Sequence, residues 1–137
     1  HDIKGSLGGK LEYTKVDAND KWFYTTTKSV TATSGDLIPD GSTATEGGSL
    51  TYPDDIRFLF LKNTGTTDGT TSTSSKVYLC LDGGDAASVS DVIEIGPGEA
   101  INLKFKASGG VDQANLHAAS SSGTVRCIVA AIIDDGG

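Results

Sequence analysis

The chain has 137 residues, of which 36% are hydrophobic and 7% aromatic, so it fits one domain with a thin core rather than a densely packed enzyme. Its formal net charge of −7 repels phosphate backbones, and no cluster of Lys and Arg offsets that repulsion, so we expect no nucleic-acid partner. No run of 18 apolar residues occurs, so we expect no membrane partner either.

Short segments rich in β-forming residues, separated by turn residues, recur along the chain, and no segment keeps a helical period of 3.6. Eight such segments occur, at residues 10–16, 22–33, 55–63, 76–82, 91–95, 100–107, 111–118 and 124–134. This spacing predicts an all-β fold. We expect a single-domain antiparallel β-sandwich over residues 10–137, of jelly-roll or immunoglobulin-like type, with long polar loops.

The segment before the first predicted strand, residues 1–9, contains three glycines and only two apolar side chains, Ile3 and Leu7. It has no apolar central region of the kind found in signal peptides. We predict an extended arm that can add a strand to a neighbour's sheet edge, with Ile3 and Leu7 as candidate interface residues.

Three adjacent aromatic residues, Trp22, Phe23 and Tyr24, open the second predicted strand. Side chains alternate across a strand, so the three cannot all point inward. In one interpretation at least one lies on the outer face, where it stacks on a sugar or anchors a protein interface. In the other, Trp22 and Tyr24 pack in the core and Phe23 lies under a loop. All three are candidate interface residues.

The segment 55–63 is apolar on both faces, with Ile56, Phe58 and Phe60 on one side and Leu59 and Leu61 on the other. Such a strand is typical of a sheet interior, or of a strand whose outer face meets a partner. We expect Phe60 to belong to the core.

The clearest turn lies between the predicted strands 91–95 and 100–107. Pro97 presets φ for the first central position of a type II turn, and Gly98 supplies the positive φ of the second, which predicts a hairpin. In the following strand, alternation places Ile101, Leu103 and Phe105 inward. Two polar loops, 34–49 and 64–75, exceed hairpin length and are either binding loops or flexible excursions.

No residue pattern predicts catalysis, a metal or a cofactor. Cys80 and Cys127 lie in apolar runs, which favours two free core thiols over a bridge between strands. The acidic clusters 17–20 and 82–85 fit turns better than calcium loops. His1 and His117 are far apart in sequence and do not make a zinc site. No nucleophile motif surrounds any Ser or Thr, so we expect a protein that is not an enzyme.

One stretch of the sequence, KVYLCLDGGDAASVSDVIEIGPGEAINLKF followed by ANLHAASSSGTVRCIVAAI, resembles small virion proteins of tailed bacteriophages. In those proteins an apolar strand with an Asp-Gly turn leads to a Pro-Gly-Glu turn, and an apolar strand closes the fold. The opening GKLEYTKVDANDKWFY is similar to phage structural proteins as well. The resemblance spans residues 55–133 and is one of strands and turns.

The resemblance implies a capsid decoration (cement) protein, or another head or tail accessory component. Its partners would be the major capsid protein and copies of itself, often as a trimer. It would be made in the host cytoplasm and would act on the outer capsid surface, where it clamps adjacent capsomers against internal genome pressure. Two alternatives remain open: a carbohydrate-binding or adhesin domain, and a tail or fibre-attachment component.

Overall fold

The computed structural model describes residues 19–52, 54–106 and 110–134. These residues form eleven strands and one short 3-10 helix, Gln113–Asn115. The strands are β1 Asp20–Val30, β2 Gly35–Asp36, β3 Ser42–Thr43, β4 Ser49–Leu50, β5 Asp55–Asn63, β6 Val77–Cys80, β7 Ile93–Ile95, β8 Ala100–Lys104, β9 Val111–Asp112, β10 His117–Ser120 and β11 Val125–Asp134. No described helix is long and apolar enough to cross a membrane.

Two antiparallel sheets form a sandwich, as the sequence predicted. The five-stranded sheet has the order β1-β11-β5-β8, with β9 also paired to β5, and the four-stranded sheet has the order β2-β10-β6-β7. Leaving aside β3 and β4, which pair only with each other, and β9, which lies outside the main strand order, the first strand pairs with the last, the second with the seventh, the third with the sixth and the fourth with the fifth. This nested pairing of eight strands is the jelly-roll arrangement.

The core lies between the inner faces of the two sheets. Alternate residues of each strand point into it, including Leu59 and Leu61 of β5, Leu79 of β6 and Val129 of β11, all at most 1% exposed. Ile101 and Leu103 of β8, and Phe105 just after it, pack against this cluster, as their alternation predicted.

Several strand predictions agree with the structure, and others need correction. The predicted strand 55–63 matches β5 at both ends, whereas the segment 111–118 is broken by the 3-10 helix because Asp112 caps it by accepting a bond from the Ala114 N–H. The two-residue β2 lies inside the predicted loop 34–49, which also holds β3 and part of β4. The predicted strand 10–16 and the arm 1–9, with Ile3 and Leu7, lie outside the described residues.

The Pro-Gly turn forms as predicted, but it does not join a hairpin. The Glu99 N–H donates to the Gly96 carbonyl at 3.0 Å, and Gly98 has φ +80°. However, β7 pairs with β6 in one sheet and β8 pairs with β5 in the other. The turn therefore carries the chain from one sheet to the other. The alternation of side chains within each strand does not reveal whether a turn joins strands of the same sheet or of different sheets.

A β-bulge in β5 decides which way its aromatic residues point. The register moves from Phe58 opposite Ile132 to Ile56 opposite Ile133, which leaves Arg57 as the extra residue. Ile56 is fully buried in the core, whereas Phe58 and Phe60 are only half-buried and lie outside the core cluster. The expectation that Phe60 belongs to the core is wrong, because the bulge separates its face from that of Ile56.

Candidate interaction face of the five-stranded sheet

Apolar side chains occupy the outer face of the five-stranded sheet, the side turned away from the core. The strand register sets them in rows: Trp22, Ile132 and Phe58 lie side by side, and Tyr24, Ala130 and Phe60 form the next row. Ile128 follows in the third row, opposite Lys62. We call this set the aromatic face; its members are Trp22, Tyr24, Phe58, Phe60, Ile128, Ala130 and Ile132.

The aromatic face contains the most exposed large hydrophobic side chains among the described residues. Trp22 is 42% and Tyr24 57% exposed, whereas Ile132, flanked by Trp22 and Phe58, is 1% exposed. Phe23 points the other way and packs against the core. The interpretation in which Trp22 and Tyr24 fill the core is therefore wrong, and an outward position is confirmed for two of the three aromatics.

Charged residues lie at the two ends of the aromatic face and differ in sign. At the end where β1 begins and β11 finishes, Asp20, Asp134 and Asp55 are aligned across three strands. Arg57 bonds Asp134 at 2.6 Å and lies 3.4 Å from Asp20. Asp20 itself is fully buried, whereas the Asp134 side chain is 27% exposed.

The opposite end of the aromatic face is basic. Lys62 lies beside Ile128, and Arg126 follows one row further along β11. Lys104 extends the Trp22 row on the β8 side, next to Phe58. Lys62, Lys104 and Arg126 form no ion pair with any described residue. Among the described residues, Lys62 and Arg126 thus lie at the end of the face opposite the carboxylates, whereas Lys104 lies in the Trp22 row, next to the carboxylate end.

Among the described strands β1 lies at the edge of its sheet, and this edge borders the aromatic face and is occupied at Trp22. The Thr45 N–H donates to the Trp22 carbonyl, and the Trp22 N–H donates to Glu46 Oε1, both at 2.7 Å. A register shift between Thr25 and Lys28 interrupts the strand further along. Both features hinder the addition of another strand at this edge, so contacts through side chains on the face are favoured over edge pairing.

A polar cleft lies at the end of the four-stranded sheet. It has a volume of about 450 Å³ and is lined by Ser34, Gly35, Asp36, Gly83, Gly84, Asp85 and His117. His117 Nε2 lies 3.2 Å from Asp36 Oδ1, and Nδ1 lies 2.8 Å from the Gly84 carbonyl oxygen. Both ring nitrogens face acceptor oxygens, so neither remains to activate a hydroxyl or bind a metal.

The polar residues singled out in the sequence have structural roles. The 82–85 cluster is a turn, because Asp82 Oδ1 accepts from the Gly84 N–H and Asp85 Oδ1 accepts from the Ala87 N–H. Of the 17–20 cluster, 17 and 18 lie outside the described residues. Cys80 and Cys127 are free and buried, as predicted. No group of three or more potential metal ligands occurs among the described residues.

Sequence reasoning identified Trp22 and Tyr24 but not the rest of the aromatic face. Phe58 and Phe60 were assigned to the side of Ile56, because strict alternation takes no account of the bulge at Arg57. The doubly apolar pattern of segment 55–63 was the available signal, since it indicates either a covered strand or a partner on the outer face.

A comparison of the sequence with protein-family models and with curated proteins finds no match.

Proposed function

We propose that this domain is a non-enzymatic structural protein of a tailed-phage virion, which binds the outer capsid surface as an oligomer and stabilises the shell. Its partners are the major capsid protein and copies of itself. The observation that carries the proposal is the aromatic face, where Trp22 and Tyr24 are both exposed on the same side of β1. Exposed aromatic side chains grouped on one surface are typical of protein interfaces.

Three further features support a binding role. The jelly roll is a fold of viral capsid proteins, although it also occurs in lectins and so does not decide between them. The His117 cleft lacks a free imidazole nitrogen for acid–base chemistry. Many copies on a lattice gain avidity from multivalency, so each copy needs only a modest interface.

The test uses undecorated shells of the phage whose genome encodes the chain. Purified protein is titrated onto the shells, pelleted with them and counted per capsomer. We expect saturable binding at a fixed ratio to capsomers and shells that withstand higher temperature. A Trp22→Ala/Tyr24→Ala variant, with its fold checked by circular dichroism, should bind more weakly. Absence of saturable binding to shells contradicts the proposal, and binding to tails alone favours the tail or fibre-attachment alternative.

A carbohydrate-binding domain is the second candidate, because exposed aromatic side chains such as Trp22 and Tyr24 can also stack on sugar rings. A glycan array, followed by titration of the Trp22 fluorescence with each glycan that binds, distinguishes the two. Saturable binding to a glycan that is lost in Tyr24→Ala, together with no binding to shells, would favour this candidate. Neighbouring genes for glycan-degrading enzymes, rather than for a capsid protein, would point the same way.

A further inference from the structure

We propose that His117 is a proton-controlled latch on the loop that covers the outer face of the four-stranded sheet. With both ring nitrogens protonated, the imidazole ties the Gly84 carbonyl of this loop to Asp36 of β2. Loss of one proton releases the Gly84 carbonyl and loosens residues 82–85. The inference goes beyond the proposed function and does not depend on it.

The ring of His117 lies between two acceptors that belong to different parts of the fold. Nε2 is 3.2 Å from Asp36 Oδ1, and Nδ1 is 2.8 Å from the Gly84 carbonyl oxygen. A neutral imidazole carries one N–H and donates to only one of the two, whereas an imidazolium donates to both. The side chain is 23% exposed, so it exchanges protons with the solvent. The geometry, with both contacts at hydrogen-bond length, therefore fits the protonated ring.

Electrostatics decides which contact the neutral ring keeps. A lone pair turned towards the Asp36 carboxylate meets a full negative charge, whereas one turned towards the Gly84 carbonyl meets only a dipole. A hydrogen bond to a carboxylate is also stronger than one to a neutral carbonyl. The neutral ring therefore keeps its proton on Nε2 and its contact with Asp36, and the Gly84 carbonyl loses its donor.

The released carbonyl belongs to the loop between β6 and β7, residues 81–92. Apolar side chains of this loop cover the outer face of the sheet: Ala86, Val89 and Val92 pack over Cys80 and Ala119. Two further bonds near the latch do not depend on the proton. The Gly83 N–H donates to the Asn115 carbonyl at 3.0 Å, and the Ala86 N–H donates to Ser34 Oγ at 2.9 Å. We therefore expect the loop to loosen locally without leaving the sheet.

Three titratable groups around the latch keep their charge state while imidazole titrates. Burial raises the pKa of the Cys80 thiol, which lies opposite His117 in the β6–β10 pair. The hydrogen bond from that thiol lowers the pKa of Asp82. Burial, together with the Asp36 carboxylate, raises the pKa of Tyr52 to about 12. Imidazole, by contrast, is the side chain whose charge normally changes between about pH 5 and pH 8.

Lys28 also contacts the Asp36 side of the latch, and the experiment must separate it from His117. Its Nζ donates to the Asp36 carbonyl at 2.9 Å, and burial lowers its pKa while the charge of Asp36 opposes that shift. The carboxylates of Asp36 and Asp85 line the same cleft as the ring. A variant that lacks the imidazole but keeps Lys28 and both carboxylates makes the separation.

Amide hydrogen exchange of the full chain at about pH 5 and pH 8 follows the loop. Rates are expressed as protection factors, so that the intrinsic pH dependence of exchange cancels. We expect the protection of the Gly83 and Ala86 amides to fall roughly three- to tenfold at the higher pH, between the effects of an exposed ion pair and of a charged hydrogen bond. The amide of Val129 in β11 should not change. His117→Gln, with its fold checked by circular dichroism, should give equal loop protection at both pH values.

Asp36→Asn is the sharpest variant, because an amide can donate as well as accept. A neutral ring can then donate from Nδ1 to the Gly84 carbonyl and accept on Nε2 from the introduced amide. We expect the loop to stay protected at the higher pH. The matched control is Asp85→Asn, the same charge change in the same cleft, where Asp85 Oδ1 accepts from the Ala87 N–H and not from the ring. It should keep the pH dependence of the unsubstituted chain.

Long-range proton–nitrogen NMR spectra of the imidazole at about pH 8 identify its tautomer directly. The chain has two histidines, so the His117 signals are those that His117→Gln removes. We expect the proton on Nε2 in the unsubstituted chain and on Nδ1 in Asp36→Asn. A neutral ring already protonated on Nδ1 in the unsubstituted chain overturns the inference. Loop protection that does not change with pH, or a pH dependence that persists in His117→Gln, overturns it as well.

Discussion

The outer face of the four-stranded sheet is covered by the chain between β6 and β7, whereas the outer face of the five-stranded sheet leaves Trp22 and Tyr24 exposed. On the covered side, Ala86, Val89 and Val92 pack over Cys80 and Ala119 and form a second small core. Both outer faces carry apolar residues, and only one is buried by the described part of its own chain.

The two outer faces therefore differ in how their apolar surface is protected from solvent. On the four-stranded sheet, a loop of about a dozen residues between β6 and β7 packs over apolar side chains of the outer face and buries them. On the larger and more aromatic face, the described residues leave Trp22 and Tyr24 without such a cover. Exposed aromatic side chains grouped on one surface, such as Trp22 and Tyr24, are typical of an interaction site.

A pair of alanines, one on each outer face, tests the comparison most strongly. Ala119 is fully buried under the loop, whereas Ala130 is half-buried in the aromatic face. Ala119→Asp should destabilise the monomer by about 4 kcal/mol, because the carboxylate is buried without a partner. Ala130→Asp should cost less than about 1 kcal/mol in the monomer. Urea melts at low protein concentration measure both; equal losses would show that the two faces are equally covered.

Two neighbouring residues of β5 allow the buried core and the aromatic face to be compared within one strand. Leu59 is fully buried in the core, and Phe60 is half-buried on the aromatic face. Leu59→Ala should lower the free energy of unfolding by about 3 kcal/mol. Phe60→Ala should lower it by only about 1–2 kcal/mol, as expected for partial burial. A denaturant melt in which Phe60→Ala costs as much as Leu59→Ala would mean that the face is covered in the monomer.

A pH-dependent effect concerns Cys127, whose thiol lies fully buried between the two sheets and has its pKa raised by burial to about 12. In the unfolded chain the thiol ionises near pH 8.5, so above about pH 8.5 the native state binds more protons and its stability falls as the pH rises towards 12. One such group lowers the free energy of unfolding by at most about 1.4 kcal/mol per pH unit between about pH 8.5 and 12, and has no effect on it at lower pH.

Urea melts from pH 7 to pH 11 measure this slope, and Cys127→Ala should reduce it while leaving the lower end of the range flat. An alkaline slope that Cys127→Ala does not change would show that the thiol is accessible in the native state. The core between the sheets would then be open to solvent, unlike the one described.

The fold could be predicted from the sequence to the level of individual strands, and the site only in part. Alternation predicted the inward side chains of β8, and the length of β5 followed from its apolar run. The pairing of strands did not follow, because the β7–β8 turn joins different sheets and β2 is only two residues long. The orientation of Phe60 depended on the bulge at Arg57, where the guanidinium bonds Asp134, a residue 77 positions away.

The position of β11 also bears on how the protein is made. β11 is the last strand in chain order that the structure describes, and it lies between β1 and β5, with both of which it pairs. On the ribosome, β1 and β5 emerge first, yet their side-by-side arrangement depends on a strand that has not been synthesised. Pairing between segments so distant in sequence is slow, on the scale of milliseconds to seconds. Until β11 is inserted, the edges of β1 and β5 that it pairs with are open to neighbouring nascent chains, so chaperone protection at this stage would influence the yield of folded protein.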